Sequence, residues 1–381
     1  MPNVSELTLS LLREGLTGER APLGECDERT LAEIFLLSKK HDLAHVAGEA
    51  LLGHGLPVSE KIQKAFDTER VKVVYRYTRL WSVFAKIEAL FEEAGIDYLP
   101  LKGAEIRHAY PKAEMRSSCD VDVLVRESDL AAAAALLCEK LGFREDGKTY
   151  HDVSLTLGEG IHVELHYNVT ENDERIDGLL SRVWEHTECA SGTHRYKMTP
   201  AYFAFHTVAH MYSHFVRGGC GVRTLMDLWV LRHRTEFDEA GTVALCEACG
   251  LSAFYAGVVA LSEAWFSGSD HTPLTCLMED FVLRGGVYGT VENRTNAGAG
   301  QKKSRLRYAL SRIFPPRKYL ALAYPVLYKH PILTPVCYVR RGFRILFGGR
   351  GKGAMRELSG AAMLDKETKA ATEALFSGLG I

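Results

Sequence analysis

Long hydrophobic runs are missing from this sequence of 381 residues. No apolar run approaches the roughly 18 residues that a transmembrane helix needs, and the first residues, Met1 to Glu6, lack the basic and then apolar layout of a secretory signal. The nine cysteines are odd in number and scattered, which is typical of reduced thiols rather than of a disulfide framework. These absences argue against membrane-spanning and secreted classes, and we expect a cytoplasmic protein.

Acidic residues are missing from the stretch between Asn293 and Arg356, which contains fifteen lysines and arginines. The whole chain has a formal charge of −2, so the rest of the sequence is acidic. A basic segment of this kind attracts nucleic acid, anionic membrane surfaces or acidic parts of the same protein. Aromatic residues are interleaved with the charges. They predict either stacking on bases or a small aromatic core with a basic surface, and the absence of a known nucleic-acid motif favours the core.

The overall composition is that of an ordinary globular protein, with 46% hydrophobic and 25% charged residues. Hydrophobic periodicity divides the chain into a helical N-terminal region (1–94), a core with strands (95–190), a helical domain (191–290) and a basic C-terminal region (291–381). The clearest pattern is a long amphipathic helix from Ser59 to about Ala94, which Gly95 ends.

The core is organised around the stretch from Ser118 to Val125, in which Asp120 and Asp122 are two residues apart among β-branched residues. Side chains alternate along a strand, so both carboxylates point to the same face. Two adjacent like charges persist if a cation lies between them, if one carboxylate is protonated, or if both are solvated. The structural alternative is an edge strand whose charges prevent aggregation.

A second strand is predicted about forty residues later, where His162, Glu164 and His166 share one face. The preceding residues alternate in polarity and end at Gly158 and Gly160, which predicts a hairpin.

If this strand neighbours the first one, the carboxylates of Asp120, Asp122 and Glu164 converge. Three oxygen ligands with an open side suit a magnesium ion bound to the phosphates of a nucleotide. Antiparallel pairing is the simplest way to bring Glu164 beside the two aspartates.

A phosphate site is predicted just upstream, where a strand from Asp97 ends at Gly103 and a helix begins at Ala104. The free backbone amides at such a turn can hold a phosphate. Lys102 and Arg116 would supply positive charge.

In order, these motifs resemble the nucleotidyltransferase superfamily typified by DNA polymerase beta. The segments that carry the resemblance are Leu101-Lys102-Gly103, Tyr110-Pro111, Arg116, Asp120-Val121-Asp122-Val123-Leu124-Val125 and His162-Val163-Glu164-Leu165-His166. The chain is most similar to a largely uncharacterised bacterial nucleotidyltransferase family with a Leu-Lys-Gly turn. The resemblance implies an α+β fold in which a small mixed or antiparallel sheet with flanking helices is embedded in largely helical N- and C-terminal regions.

The resemblance also implies a reaction, the transfer of a nucleoside monophosphate from an NTP to a hydroxyl acceptor with two Mg²⁺ (or Mn²⁺) ions. The catalytic and metal-binding carboxylates map onto Asp120, Asp122 and Glu164. The residues assigned to the nucleotide are Lys102, Gly103, Arg116, Ser118 and Arg223. A catalytically silent nucleotide-binding or regulatory module on the same fold is the alternative.

Two features of the helical domain allow other interpretations. His206, His210 and His214 follow at spacings of four on one helix face, as in a metal phosphohydrolase or in a polar face packed beside the sheet. Arg223 is spaced to pair with Asp227 across one helical turn, or it reaches a triphosphate.

Overall fold

A computed structural model describes residues 3–287, 314, 317, 320, 324, 326–347 and 366–381. Most of the basic stretch from Asn293 to Arg356 lies outside these residues. The described part is largely helical. Its helices, numbered in chain order, are α1 Val4–Thr17, α2 Glu28–Lys40, α3 Ala44–Gly53, α4 Glu60–Ala94, α5 Gly103–Ile106, α6 Leu130–Leu141, α7 Glu174–Leu180, α8 Pro200–Val216, α9 Val222–Arg234, α10 Glu239–Ala248, α11 Ser252–Phe266, α12 Pro273–Gly285, α13 Val326–Lys329, α14 Thr334–Phe347 and α15 Lys366–Gly378.

The strands form a five-stranded mixed sheet and a two-stranded antiparallel sheet, so the predicted α+β class is confirmed. The large sheet has the order β1-β2-β5-β4-β3, and the small one pairs β6 with β7. The strands are β1 Tyr98–Pro100, β2 Asp120–Val125, β3 Arg144–Lys148, β4 Asp152–Leu157, β5 Ile161–His166, β6 Thr187–Cys189 and β7 Tyr196–Met198.

The predicted hairpin is confirmed, because β4 pairs with β5 in antiparallel register. The expected antiparallel pairing of the two acidic strands is wrong, since β2 and β5 run parallel. The connection through α6, β3 and β4 is long enough to return the chain in the same direction, as parallel neighbours require. In this register Asp122 lies directly opposite Glu164.

One face of the large sheet is apolar and covered by two helices. Val121 and Val123 of β2 and Val163 and Leu165 of β5 are buried against α4 and α6. The residues between them point to the opposite face, which is left polar. The alternation along each strand therefore separates a structural face from a face that carries the acidic residues.

The long helix α4 spans 35 residues and confirms the prediction from hydrophobic periodicity. Phe84, Ile87 and Phe91 recur at spacings of three and four, so one stripe of α4 is buried in the sheet core. Gly95 ends the helix with φ 68°, and its N–H donates to the carbonyls of Phe91 and Glu92. The helix is thus fixed at the point where the chain enters β1.

The chain divides into two compact units. One comprises Met1–Ser213 with Gly221–Cys276, and the other His214–Cys220 with Leu277–Ile381. The first unit contains both sheets. Within the described ranges, no helix combines the length and the apolar character needed to cross a membrane.

Candidate functional site

The polar face of the large sheet gathers charged side chains from β2 and β5. Asp120 pairs in register with His162, and Asp122 with Glu164. The two aspartates share this face because a single residue, Val121, lies between them. The parallel pairing therefore places a carboxylate of β5, that of Glu164, beside Asp122 and an imidazole, that of His162, beside Asp120.

Three ligand atoms, from Asp122, Glu164 and His166, lie within 4.8 Å of one another. His166 Nε2 is 3.5 Å from Asp122 Oδ1 and 3.4 Å from Glu164 Oε2. Among the residues with described coordinates, this is the only group with the spacing of a metal site. Two hard carboxylate oxygens and one imidazole nitrogen form a donor set that fits a divalent cation.

Asp120 lies on the same face but outside that group. Burial, followed by the nearby charges of Asp122 and Glu164, raises its pKa to about 6. The structure thus brings Asp122 and Glu164 together as predicted and holds Asp120 within electrostatic reach. An added positive charge would relieve the repulsion among these three carboxylates.

Lys102 supplies positive charge to this group. Its Nζ lies 3.4 Å from Asp122 Oδ2, and it is also near Asp120, Glu164 and Glu171. Burial alone would raise the pKa of Asp122, but Lys102 and His166 outweigh it and hold that pKa well below its ordinary value. Burial alone would lower the pKa of Lys102, but the negative charge of Asp122 outweighs burial, so that this pKa is raised.

The backbone of Lys102 is strained. Its φ of 45° and ψ of −115° lie in a region that side-chain-bearing residues rarely adopt. Such a conformation costs of order 1–3 kcal/mol and persists only where the surroundings impose it. The strained turn between β1 and α5 lowers the stability of the fold, and it directs the Lys102 ammonium towards Asp122.

His166 is a site residue whose role the sequence did not reveal, although its place on the shared face was predicted. Burial would lower its pKa, but Asp122 and Glu164 raise it to about 9. Its ring stacks on His151, with centroids 5.2 Å apart and an interplanar angle of 11°. The imidazole is therefore positioned by stacking and by the two carboxylates.

Helix α8 borders the site through its histidines. His210 Nδ1 and Ser213 Oγ each lie 2.7 Å from a carboxylate oxygen of Glu171, in the segment after β5. Burial, with Lys102 acting in the same direction, lowers the pKa of His206 to about 3. His206 and His210 thus lie beside the polar face of the sheet, and among the described residues the one group with the spacing of a metal site includes no residue of α8. No spacing in the sequence pointed to Glu171.

Arg116 and Gly103, two predicted phosphate ligands, belong to a buried network. Arg116 Nε donates to both carboxylate oxygens of Asp227 at 2.9 and 3.0 Å, and Tyr110 Oη donates to Asp227 Oδ1 at 2.6 Å. A Cβ on Gly103 would lie 2.9 Å from Arg116 Nη1, so only glycine allows this close approach. The helix expected after Gly103 is a single turn of four residues, followed by a 3₁₀ turn.

Ser118 and Arg223 also have protein partners. Ser118 Oγ accepts from Arg107 Nη2 at 2.8 Å, and Arg223 Nη1 donates to the Ser117 carbonyl at 2.9 Å. The expected pair between Arg223 and Asp227 is wrong, because Asp227 is engaged by Arg116 and Tyr110 instead. These contacts fix the loop that leads into β2.

Comparison with known proteins gives one family. Residues 27–267 match a family described as an uncharacterised nucleotidyltransferase. No curated protein and no solved structure matches the chain. The matched segment is more than half of the sequence and includes every residue of the polar face described above.

Proposed function

The chain belongs to the uncharacterised nucleotidyltransferase family, and from this premise we propose that it moves a nucleoside monophosphate from an NTP to a hydroxyl acceptor. The observation that carries the proposal is the register that places Asp122 opposite Glu164, with Asp120 on the same face. The likeness of the motifs to the DNA polymerase beta superfamily supports the same reaction class. We propose that Asp120, Asp122 and Glu164 are its catalytic residues.

The three carboxylates would hold Mg²⁺ or Mn²⁺ together with the triphosphate. When bound, a divalent ion supplies charge neutralisation and a lower pKa for the acceptor hydroxyl. The Glu164 side chain is 37% exposed and that of Asp122 only 14%. We therefore assign Glu164, the more accessible of the two, to accept the proton of the acceptor hydroxyl.

The reaction would be an in-line attack on the α-phosphate. A bond forms between the acceptor oxygen and the α-phosphorus, the bond from that phosphorus to the bridging oxygen breaks, and pyrophosphate leaves. Lys102 is placed to exchange its contact with Asp122 for a phosphate oxygen. The other residues assigned to the nucleotide would act indirectly, by fixing the shape of the loop: Arg116, Gly103, Ser118 and Arg223. The side chains of Arg116, Ser118 and Arg223 are already engaged in contacts with other protein groups.

Pyrophosphate release and label transfer test the proposal. The full chain is incubated with each α-labelled NTP, Mg²⁺ or Mn²⁺, and a cell lysate as the source of acceptor. We expect transfer with at least one NTP and a loss of at least about 100-fold in Asp122→Asn, because charge stabilisation by a bound metal is worth several kcal/mol. The control is Asp67→Asn, which makes the same change at a partly exposed position of α4, away from the sheet. Failure of every nucleotide and metal combination would contradict the proposal.

A catalytically silent nucleotide-binding module is the second candidate. The contact between Lys102 Nζ and Asp122 Oδ2 favours it, because the ammonium already neutralises a carboxylate that the metal would need. This candidate predicts tight binding of NTP without turnover, and binding that Asp120→Asn leaves unchanged. Equilibrium binding of a fluorescent NTP, measured beside the transfer assay, separates the two.

A further inference from the structure

His166 is a buried side chain that is ion-paired with Asp122 and Glu164 but whose ring nitrogens form no hydrogen bond within the described part of the chain. The residue is 4% exposed. Neither Nδ1 nor Nε2 has a hydrogen-bond partner with acceptable geometry among the described residues. A buried polar group without a partner costs free energy, so native structures rarely keep one without a compensating ligand.

The ring is aimed at the acidic group. Its Nε2 lies within 3.5 Å of carboxylate oxygens on both Asp122 and Glu164, which it approaches from one side. Stacking on His151 fixes the plane of the ring. The nitrogen therefore faces the space that the two carboxylates share, and a cation placed there would satisfy all three side chains.

Imidazole changes which cation is preferred. Mg²⁺ binds oxygen ligands and gives up its water reluctantly. First-row transition metals accept imidazole nitrogen beside carboxylate oxygen, and their affinity rises from Mn²⁺ onwards along the series. A set of two carboxylates and one imidazole is therefore better matched to these metals than to Mg²⁺.

We infer that Asp122, Glu164 and His166 form a mixed oxygen and nitrogen site that takes a first-row transition-metal dication in preference to Mg²⁺. The binding itself is independent of the reaction. Only the assignment of this ion to nucleotidyl transfer rests on the proposed function. His166 is then a metal ligand on β5, two residues after Glu164, where the motif resemblance assigned only carboxylates.

Mn²⁺ is the probe of choice, because it binds most weakly in the series and gives a lower bound on the preference. The metal-free full chain is titrated with Mn²⁺ while free ion is followed by electron paramagnetic resonance, and Mg²⁺ is then added as competitor. Pulsed measurements on the Mn²⁺ complex are expected to show coupling to a directly bound ¹⁴N nucleus. This readout uses the unmodified protein and does not depend on the folding of a variant.

The variant His166→Gln replaces the nitrogen donor with an amide oxygen. We expect Mn²⁺ affinity to fall roughly 10-fold or more, the scale seen when support of a metal site is lost, while Mg²⁺ affinity changes by less than about threefold because its oxygen ligands remain. The matched control is His162→Gln, on the same strand and face but exposed. It is expected to keep both the Mn²⁺ affinity and the ¹⁴N coupling.

Several results would overturn the inference: no ¹⁴N coupling, no Mn²⁺ binding, or an unchanged ratio of Mn²⁺ to Mg²⁺ affinity in His166→Gln. The transfer assay on the same preparation separates this inference from the proposed function. Transfer by a protein whose Mn²⁺ complex shows no ¹⁴N coupling would refute the inference alone. Nitrogen-coupled Mn²⁺ without any transfer would refute the proposed function alone.

Discussion

At the scale of single residues, the protonation of His206 is linked to folding. This histidine is 3% exposed on α8, and its Nδ1 has no hydrogen-bond partner among the described residues. Burial lowers its pKa to about 3, with Lys102 acting in the same direction. An unfolded histidine titrates near pH 6.5, at roughly its model value. Between these two pH values the unfolded chain therefore binds more protons than the folded one.

The free energy of unfolding is expected to fall as the pH is lowered through about 6.5 towards about 3, by at most about 1.4 kcal/mol per pH unit from His206. Removing the imidazole in His206→Leu removes this contribution. Urea unfolding at pH 6.5 and pH 5.0 measures it, and the wild type should lose about 1.6 kcal/mol more than the variant over that interval. His162→Leu, at an exposed position, should behave as the wild type. Equal losses in wild type and His206→Leu would show that His206 titrates normally.

At the scale of elements, the pair of Arg116 and Asp227 joins the loop before β2 to α9. Both residues are less than a tenth exposed, and Arg116 Nη2 lies 2.9 Å from Asp227 Oδ2. Two buried opposite charges compensate each other, and removing either one leaves the other uncompensated. This contact holds the middle of α9 and the entry to the acidic strand in one arrangement.

A double-mutant cycle is expected to show strong coupling between these two residues. Arg116→Met alone should destabilise the protein by about 3–5 kcal/mol, because it leaves the Asp227 charge buried without the opposite charge that compensates it. Arg116→Met with Asp227→Leu should cost about 2–3 kcal/mol less than the sum of the single changes. Chemical unfolding of the four proteins gives the coupling. Additive costs would mean that Arg116 is free for another partner, such as a phosphate.

The elements themselves could be predicted from sequence where the signal is local. The period of α4, its end at Gly95 and the alternation along β2 and β5 follow from the side chains of each segment. The parallel pairing of β2 with β5 could not be predicted, because strand direction depends on the path of the intervening residues 126–160. The proximity of Asp122 and Glu164 could therefore be predicted from the motif, but the relative direction of their two strands could not.

Residues of the site that come from other elements carried weaker signals. Glu171 lies in an irregular segment, where no period marks a side chain as buried. The spacing of Arg223 and Asp227 allows a pair within α9, but Arg116 offers Asp227 two donors from outside the helix. Strand alternation correctly predicts that His166 lies on the face of Glu164, but it cannot distinguish a metal ligand from a packed histidine. Tertiary contacts decide each of these cases.

At the scale of the whole molecule, positive charge is concentrated in one part of the chain. The stretch from Asn293 to Arg356 has fifteen basic residues, while the chain has a formal charge of −2. Most of this stretch lies outside the described residues. A segment without acidic residues attracts a polyanion through release of counterions, and this attraction weakens as salt is added.

Binding of a single-stranded RNA oligomer by the full chain is therefore expected to weaken steeply with salt. Neutralising Lys302, Lys303 and Arg305 to glutamine should reduce the slope of log K against log salt by about 2, since each charge contributes about 0.7 on a single strand. Fluorescence anisotropy at several salt concentrations measures the slope. The matched control neutralises Lys61, Lys64 and Lys86, three exposed lysines of α4, and should leave the slope unchanged. Equal effects of the two sets would mean that the basic stretch is occupied by acidic parts of its own chain.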